Sequence, residues 1–418
     1  MKVYKFGGAS VKDAEGVRNL KRVLKTMGEE DLLIVVSAMG KMTNHLEKVV
    51  EAYLNSKEDL SLLLVEFRNY HQAILEGLFP NRSHPVFSKV KVLCDKLESF
   101  LESNRSTKHS FVYDQVVCYG ELLSTTIVSQ FLNDNDFVNN WLDVRSCVKT
   151  DANFRDARVN WEETQKRITS VVQEKGITIT QGFLGSDTEN NFTTTLGREG
   201  SDYTAAIFAF CLNADSVTIW KDVPGVLNAD PRYFGNTKLL HNISYEEAIE
   251  LAFYGASVIH PKTLQPMQRK EIPLFVKSFM NPEEAGTCVG KGVTLNPATS
   301  CFILKRDQVL ISLSSLDFSF MMEDNISDVF RWLHQFKMKV ELIQNSAISF
   351  SVCVDNKFNR LEELLVKLRE RFKVECYEGV TLFTVRHSKP AEIDTLLENK
   401  QVLLRQEGGN TVQVVVKD

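Results

Sequence analysis

Thr193 to Ala206 reads TTTLGREGSDYTAA: a run of threonines, then an arginine and two glycines, then Ser201 and Asp202 at the head of an apolar stretch. The stretch Asp202 to Leu212 has the composition of a buried helix. A helix start offers unpaired amides and a partial positive charge, so this one can handle an anion. Gly197 and Gly200 let the backbone approach a ligand, and Arg198 can grip a carboxylate or phosphate through two parallel hydrogen bonds. The same residue types also make an ordinary cap and turn. The opening of the chain decides between the two.

Met1 to Ser10 reads MKVYKFGGAS, a short strand carrying Lys5, then Gly7 and Gly8, then a helical stretch from about Val11 to Met27. Strand, glycine turn and helix in that order gather free amides and an ammonium group at one place. The spacing is neither GxxxxGKS nor GxGxxG, which excludes a P-loop and argues against a dinucleotide fingerprint. The alternation continues with a buried strand at Leu32 to Ser37, a helix around Ser110 to Leu132, and strands near Phe137 to Asp143, Ile177 to Gln181 and Ser216 to Trp220. Such alternation predicts an α/β fold with a doubly wound, mainly parallel sheet, whose ligands sit at the carboxyl ends of the strands. Residues 44–104 interrupt it as a charged helical excursion.

Composition narrows the function classes. The 418 residues suit two or three domains, with 43% apolar and 25% charged residues as in ordinary globular chains. A net charge of −5 gives no reason to invoke nucleic acid or an anionic membrane. Apolar runs are strand-length, and the opening lacks the pattern of a signal peptide, so a cytoplasmic protein is expected. Eight cysteines stand far apart with no CxxC pair, as buried apolar residues of a reducing compartment do. The eight histidines lack ligand spacing, so no protein-held transition metal is expected.

Beyond KGVTLNPATS the elements shorten, placing a domain boundary near residue 297. Strand Gln308 to Ser315, helix Asp324 to Phe336, a hairpin of Met338 to Ile343 with Ala347 to Val354 about Asn345, helix Phe358 to Arg371 and strand Lys373 to Cys376 make a βαββαβ module. Strand Val380 to Arg386, helix Ala391 to Lys400 and strands Val402 to Arg405 and Thr411 to Val416 form an abbreviated second module, completed by strand Cys301 to Lys305.

MKVYKFGGAS, TTTLGREGSDYTAA, WKDVPGVLNADPR (Trp220 to Arg232) and YGASVIHPKT (Tyr254 to Thr263), in this order, resemble the aspartate kinase branch of the amino acid kinase family. The likeness implies a carbamate kinase-like catalytic domain over residues 1–297. Tandem ferredoxin-like ACT modules would fill 298–418, the first (about 307–377) inserted in a second made of 298–306 and 378–418. It implies ATP-dependent phosphorylation of the L-aspartate side-chain carboxylate to 4-phospho-L-aspartate, the first step of lysine, threonine and methionine biosynthesis, with ATP and magnesium.

By the same resemblance Lys5 and Asp202 are catalytic, Lys5 neutralising charge on the transferred phosphoryl group and Asp202 serving the magnesium-phosphate region or the acceptor. Ser37, Thr43, Glu121 (in YGELLST), Arg198 and Ser201 bind aspartate, Glu121 holding its ammonium and Arg198 a carboxylate. Gly7, Gly8, Ser10, Lys221, Asp222, Asp230, Arg232 and Ser257 line the nucleotide site together with Lys5. Three positions depart from the family pattern: Glu199 replaces a glycine, Lys221 a threonine and Ser257 a lysine. Lys221 standing in for the missing cation at 257 is one expectation; a solvent-facing Lys221 is the other. Gln344, Asn345 and Ser346 are effector candidates for lysine or threonine, and the open sheet edges of the tail favour a homodimer or higher oligomer. Two rival functions remain open: an amino acid kinase with another acceptor, and a non-catalytic amino acid sensor.

Overall fold

The computed structural model describes residues 1–28, 30–55, 59–256, 259–316 and 320–417. Through residue 296 the strands are β1 (Lys2–Phe6), β2 (Leu32–Val36), β3 (Asn139–Leu142), β4 (Lys149–Thr150), β5 (Ile177–Gln181), β6 (Leu184–Asp187), β7 (Thr193–Thr195), β8 (Ser216–Lys221), β9 (Asn242–Ser244), β10 (Leu274–Ser278) and β11 (Thr287–Gly290). The helices are α1 (Ala14–Met27), α2 (Met42–Leu54), α3 (Leu60–Leu78), α4 (Pro85–Ser103), α5 (His109–Asn133), α6 (Trp161–Val171), α7 (Gly200–Leu212), α8 (Tyr245–Tyr254) and α9 (Pro261–Lys270).

An eight-stranded sheet in the order β3-β5-β2-β1-β8-β10-β11-β9 organises the first unit, parallel throughout except where β10 meets β11. Every residue of β2 is buried, as a strand covered on both faces requires. β1 lies between β2 and β8, in a register that sets Lys5 against Val35 and Ile219. Its carboxyl end therefore delivers Lys5 and the following glycines to the middle of the sheet's ligand edge. A short 3₁₀ turn, Gly8–Val11, precedes α1. The helix starts at Ala14, later than its apolar pattern implies, because Asp13 caps it by accepting from the Gly16 amide at 2.8 Å.

The excursion is a packed set of helices, α2 to α4, whose inner residues such as Leu46, Phe67, Ile74 and Leu97 join the main core with α1 and α5. α5 is buried nearly all round, a central helix rather than a surface one. The threonine run forms β7, part of a small sheet β4-β6-β7 that the hydroxyl pattern hid.

The second unit takes in residues 227–238, 250–256 and 297–417 among those described. Its strands are β12 (Cys301–Ser315), β13 (Lys339–Asn345), β14 (Ser349–Asp355), β15 (Phe372–Arg386), β16 (Gln401–Gly408) and β17 (Thr411–Lys417), with helices α10 (Glu323–Gln335), α11 (Leu361–Arg369) and α12 (Pro390–Leu397). They make one six-stranded sheet, β13-β14-β12-β15-β17-β16. The expected strand pairs 301–305 with 308–315, and 373–376 with 380–386, are two long strands. Each passes an irregularity, at Asp307 (φ 56°) in β12 and Gly379 (φ 66°) in β15, rather than breaking there.

Candidate active site

The carboxyl ends of β1 and β2, the first turn of α2, the middle of α5 and the turn before α7 enclose a cavity of about 530 Å³. Lys5, Gly8, Ser37, Thr43, Glu121, Arg198, Glu199, Ser201, Asp202 and Lys221 line it, joined by Tyr113, Arg155 and Phe183. Groups two hundred positions apart in the chain thus share one space.

Asp202 lies in the first turn of α7, 2% exposed. Lys5 Nζ stands 2.6 Å from its Oδ1 and Lys221 Nζ 3.6 Å from its Oδ2. Burial pushes the Asp202 carboxyl up, but the two ammonium groups outweigh it and hold the acid below its ordinary range. Two cations on one buried anion leave net positive charge where a polyphosphate would bind. Lys221 faces this cluster, not solvent; Ser257 lies outside the described residues.

Glu121, 2% exposed, accepts from the Ala38 amide at 3.3 Å through Oε1, while its buried Oε2 has no hydrogen-bond partner. Burial pushes its carboxyl up to about 8, against two backbone hydrogen bonds that pull it down. Such a group is short of a cation. Ser37 is fixed by its backbone, its amide donating to Phe6 O at 3.1 Å and its carbonyl accepting from Ser124 Oγ at 2.7 Å.

Gly197 has φ 79° and Glu199 φ 54°, so the turn holding Arg198 passes through the left-handed region on both sides. That backbone explains why glycine is usual at 199. Glu199 is the N-cap of α7 without a capping hydrogen bond, and its buried Oε2 also lacks a partner. Burial raises its carboxyl, with Lys221 opposing and Asp202 reinforcing the shift. Arg155 (φ 73°) and Phe183 (φ 71°) line the same cavity in the same strained conformation. Backbone strain of this kind gathers at functional sites because surrounding contacts must over-determine it.

Gly8 and Gly200 serve close packing. A Cβ on Gly8 would meet the carbonyl oxygens of Gly40 and Ala38 at 2.6 and 2.7 Å. One on Gly200 would meet Phe183 at 2.6 Å, so the approach expected toward a ligand is to the protein's own side chain. Gly182, which the sequence reading passed over, lets Ser201 sit: a Cβ there would fall 2.4 Å from Ser201 Cβ.

The remaining nucleotide candidates are not among the residues that line the cavity. Gly7 neighbours Lys5 Nζ, 3.4 Å from where its Cβ would be. Ser10 is 1% exposed, its Oγ 3.5 Å from Trp220 O of β8, a long contact. Asp222 is exposed in the turn after β8. Asp230 and Arg232 belong to the second unit and pair with each other at 2.5 Å, which satisfies both charges locally. Gln344 and Asn345 end β13, exposed, and Ser346 is engaged in the hairpin turn, its Oγ 2.6 Å from Ser349 Oγ.

Comparison with known proteins identifies the family. Residues 1–278 match the amino acid kinase family. Lysine-sensitive aspartokinase 3 of Escherichia coli (strain K12) is 34% identical over 395 residues, 91% of this chain and 85% of that protein. The chain belongs to the amino acid kinase family, among the aspartokinases. Two crystal structures of E. coli aspartokinase III resemble the aspartokinase fold seen here over the full chain and 96% of theirs. The T-state complex with lysine and aspartate gives a TM-score of 0.83 at 31% identity. The R-state complex with aspartate and ADP gives 0.82 at 30%. The antiparallel sheet of the second unit is accordingly of the ACT type that follows the kinase in this family. Among the described residues no cluster of three or more acidic, histidine or cysteine side chains could hold a metal ion, and no helix is long and apolar enough to cross a membrane.

Proposed function

We propose that the chain transfers the γ-phosphoryl group of ATP to the side-chain carboxylate of L-aspartate, giving 4-phospho-L-aspartate and ADP, the entry to lysine, threonine and methionine biosynthesis. The observation that carries this reading is the pairing, in one cavity, of the cationic Lys5–Asp202–Lys221 cluster with the buried, half-satisfied Glu121 carboxylate. The first suits a phosphate chain and the second an amino acid's ammonium group. Glu121 would hold the ammonium, Thr43 and Arg198 the carboxylates, and Ser37 and Ser201 would supply hydroxyls.

In the reaction an oxygen of the aspartate side chain forms a bond to the γ-phosphorus as the bond to the β,γ-bridging oxygen breaks, and the electron pair leaves on ADP. A carboxylate is already ionised at pH 7, so no general base is needed. Lys5 and Lys221 offset charge on the transferred group and the departing phosphate, and Asp202 keeps both ammonium groups in place. Both Asp202 oxygens face ammonium groups, so a magnesium ion would be held mainly by phosphate oxygens and water, with the unpartnered oxygen of Glu199 as a protein acceptor. Bound there, magnesium would neutralise phosphate charge.

The second unit fits an effector role. Lysine occupies the E. coli structure in its T-state, and lysine at the β13–β14 hairpin with Gln344, Asn345 and Ser346 is the corresponding reading here. β13 and β16 form the sheet's two edges and favour self-association. Free cysteines throughout the described chain suit the cytoplasm. Hydroxylamine trapping of acyl phosphate, with MgATP and aspartate, glutamate or acetylglutamate, tests the activity. Hydroxamate from aspartate alone is expected; trapping only with another acid, or with none, overturns the reading.

A further inference from the structure

Arg155 combines three features that its loop position in the sequence does not announce. Its backbone is left-handed at φ 73°, and its amide donates to both oxygens of the fully buried Asp114, at 3.2 and 3.0 Å. The same carboxylate accepts from Thr195 N at 2.9 Å and Thr195 Oγ1 at 2.8 Å. α5 thereby pins the strained residue against the strand that leads into the Arg198 turn. The Arg155 guanidinium lies 4.1 Å above the centre of the Tyr113 ring, in the cavity lining.

Its present ionic partner is Glu47, at 3.2 Å, with both side chains more than two-fifths exposed. Pairs this exposed hold little energy and exchange readily. Glu47 stands one helical turn beyond Thr43 on α2, and Tyr113 two turns before Glu121 on α5, so the guanidinium is poised beside the residues facing the amino acid.

We propose that Arg155 is a second carboxylate-binding guanidinium at the amino-acid end of the cavity. On binding it exchanges Glu47 for a substrate carboxylate, and so contributes to selection of a dicarboxylic amino acid. The inference rests on the aspartate kinase reading. Stacking on Tyr113 fixes the plane of the fork, and the Asp114 tether fixes its base, so little ordering remains to be done when the substrate arrives.

The test is steady-state kinetics of the full chain with Arg155→Gly, Arg155→Lys and Glu47→Gln. Glycine adopts a positive φ without strain, which removes the side chain and leaves the loop in place. Arg155→Gly should raise KM for aspartate about ten- to a hundredfold, the worth of charge-assisted hydrogen bonds, with KM for ATP and kcat within about threefold. Arg155→Lys should recover part of the loss, and Glu47→Gln, which removes the competing carboxylate, should lower KM for aspartate. An unchanged KM for aspartate in Arg155→Gly overturns the inference, as does a parallel rise in both KM values, which marks a merely structural role. If the unaltered protein does not turn over aspartate, the kinase reading itself has failed.

Discussion

Glu121→Gln separates a charge role from a packing role, because the amide is isosteric and cannot ionise. With its carboxyl at about 8 in the ligand-free cavity, Glu121 is mostly neutral below that pH. Aspartate's ammonium must therefore bind against the cost of expelling a proton, about 3 kcal/mol at pH 6, about 1 at pH 7 and little by pH 8. Set against about 3 kcal/mol for a buried charge-assisted hydrogen bond, the net contribution is close to nothing at pH 6 and grows to about 2 kcal/mol or more by pH 7 to 8. Glu121→Gln should accordingly raise KM for aspartate only slightly at pH 6, about tenfold at pH 7 and by several tens-fold at pH 8. The assay is initial rate of ADP formation at saturating MgATP across that range, taking the ratio of variant to parent at each pH so that other titrations cancel. For stability the sign is opposite. A carboxyl raised above its unfolded value stabilises the ligand-free protein most below the unfolded pKa, and that contribution is lost as pH rises through about 8. The variant should then melt higher than the parent at pH 8 without substrate. A KM ratio that stays flat from pH 6 to 8 would refute this account of Glu121.

Lys5→Met should lower kcat by about two to three orders of magnitude, as removal of a preorganised charge does, and rapid-quench measurement should locate the loss in the chemical step. In the same variant the Asp202 carboxyl should rise toward its ordinary value; a difference titration that leaves it depressed would show Lys221 alone to be sufficient. Glu199→Gly should raise thermal stability by about 1 kcal/mol, since glycine takes the left-handed backbone freely, and calorimetry reads it directly. Gly182→Ala should displace Ser201 and reduce kcat/KM for aspartate well beyond its effect on stability, compared by kinetics alongside a melting curve.

Much of the first unit was legible because its signals are local and strong. β2 is a run of apolar β-branched residues and leucines, α5 an apolar stretch of helical length, and Lys5 with two glycines marks a strand end. Their convergence followed from the rule that parallel sheets bind ligands at strand carboxyl ends. What escaped was set by distant neighbours. Thr193–Thr195 pairs with β6 for reasons that no threonine run displays, and Arg155 becomes interesting only through Asp114 and Tyr113, some forty residues earlier. Ser10 follows the glycines, and the 3₁₀ turn brings its hydroxyl within 3.5 Å of Trp220 O in β8, a contact with a strand some two hundred residues away that its place in the sequence does not announce. The glycines show the same lesson at smaller scale, since Gly200 yields space to Phe183, a residue seventeen positions earlier.

β12 and β15 each run unbroken from one ACT-type module into the other, paired along almost their entire length. They act as two shared girders, not as a hinge between separable parts. Loosening either end of the sheet would disturb strands that also pair at the other end. Excising one module would sever both girders, and the tail should therefore melt in a single cooperative step.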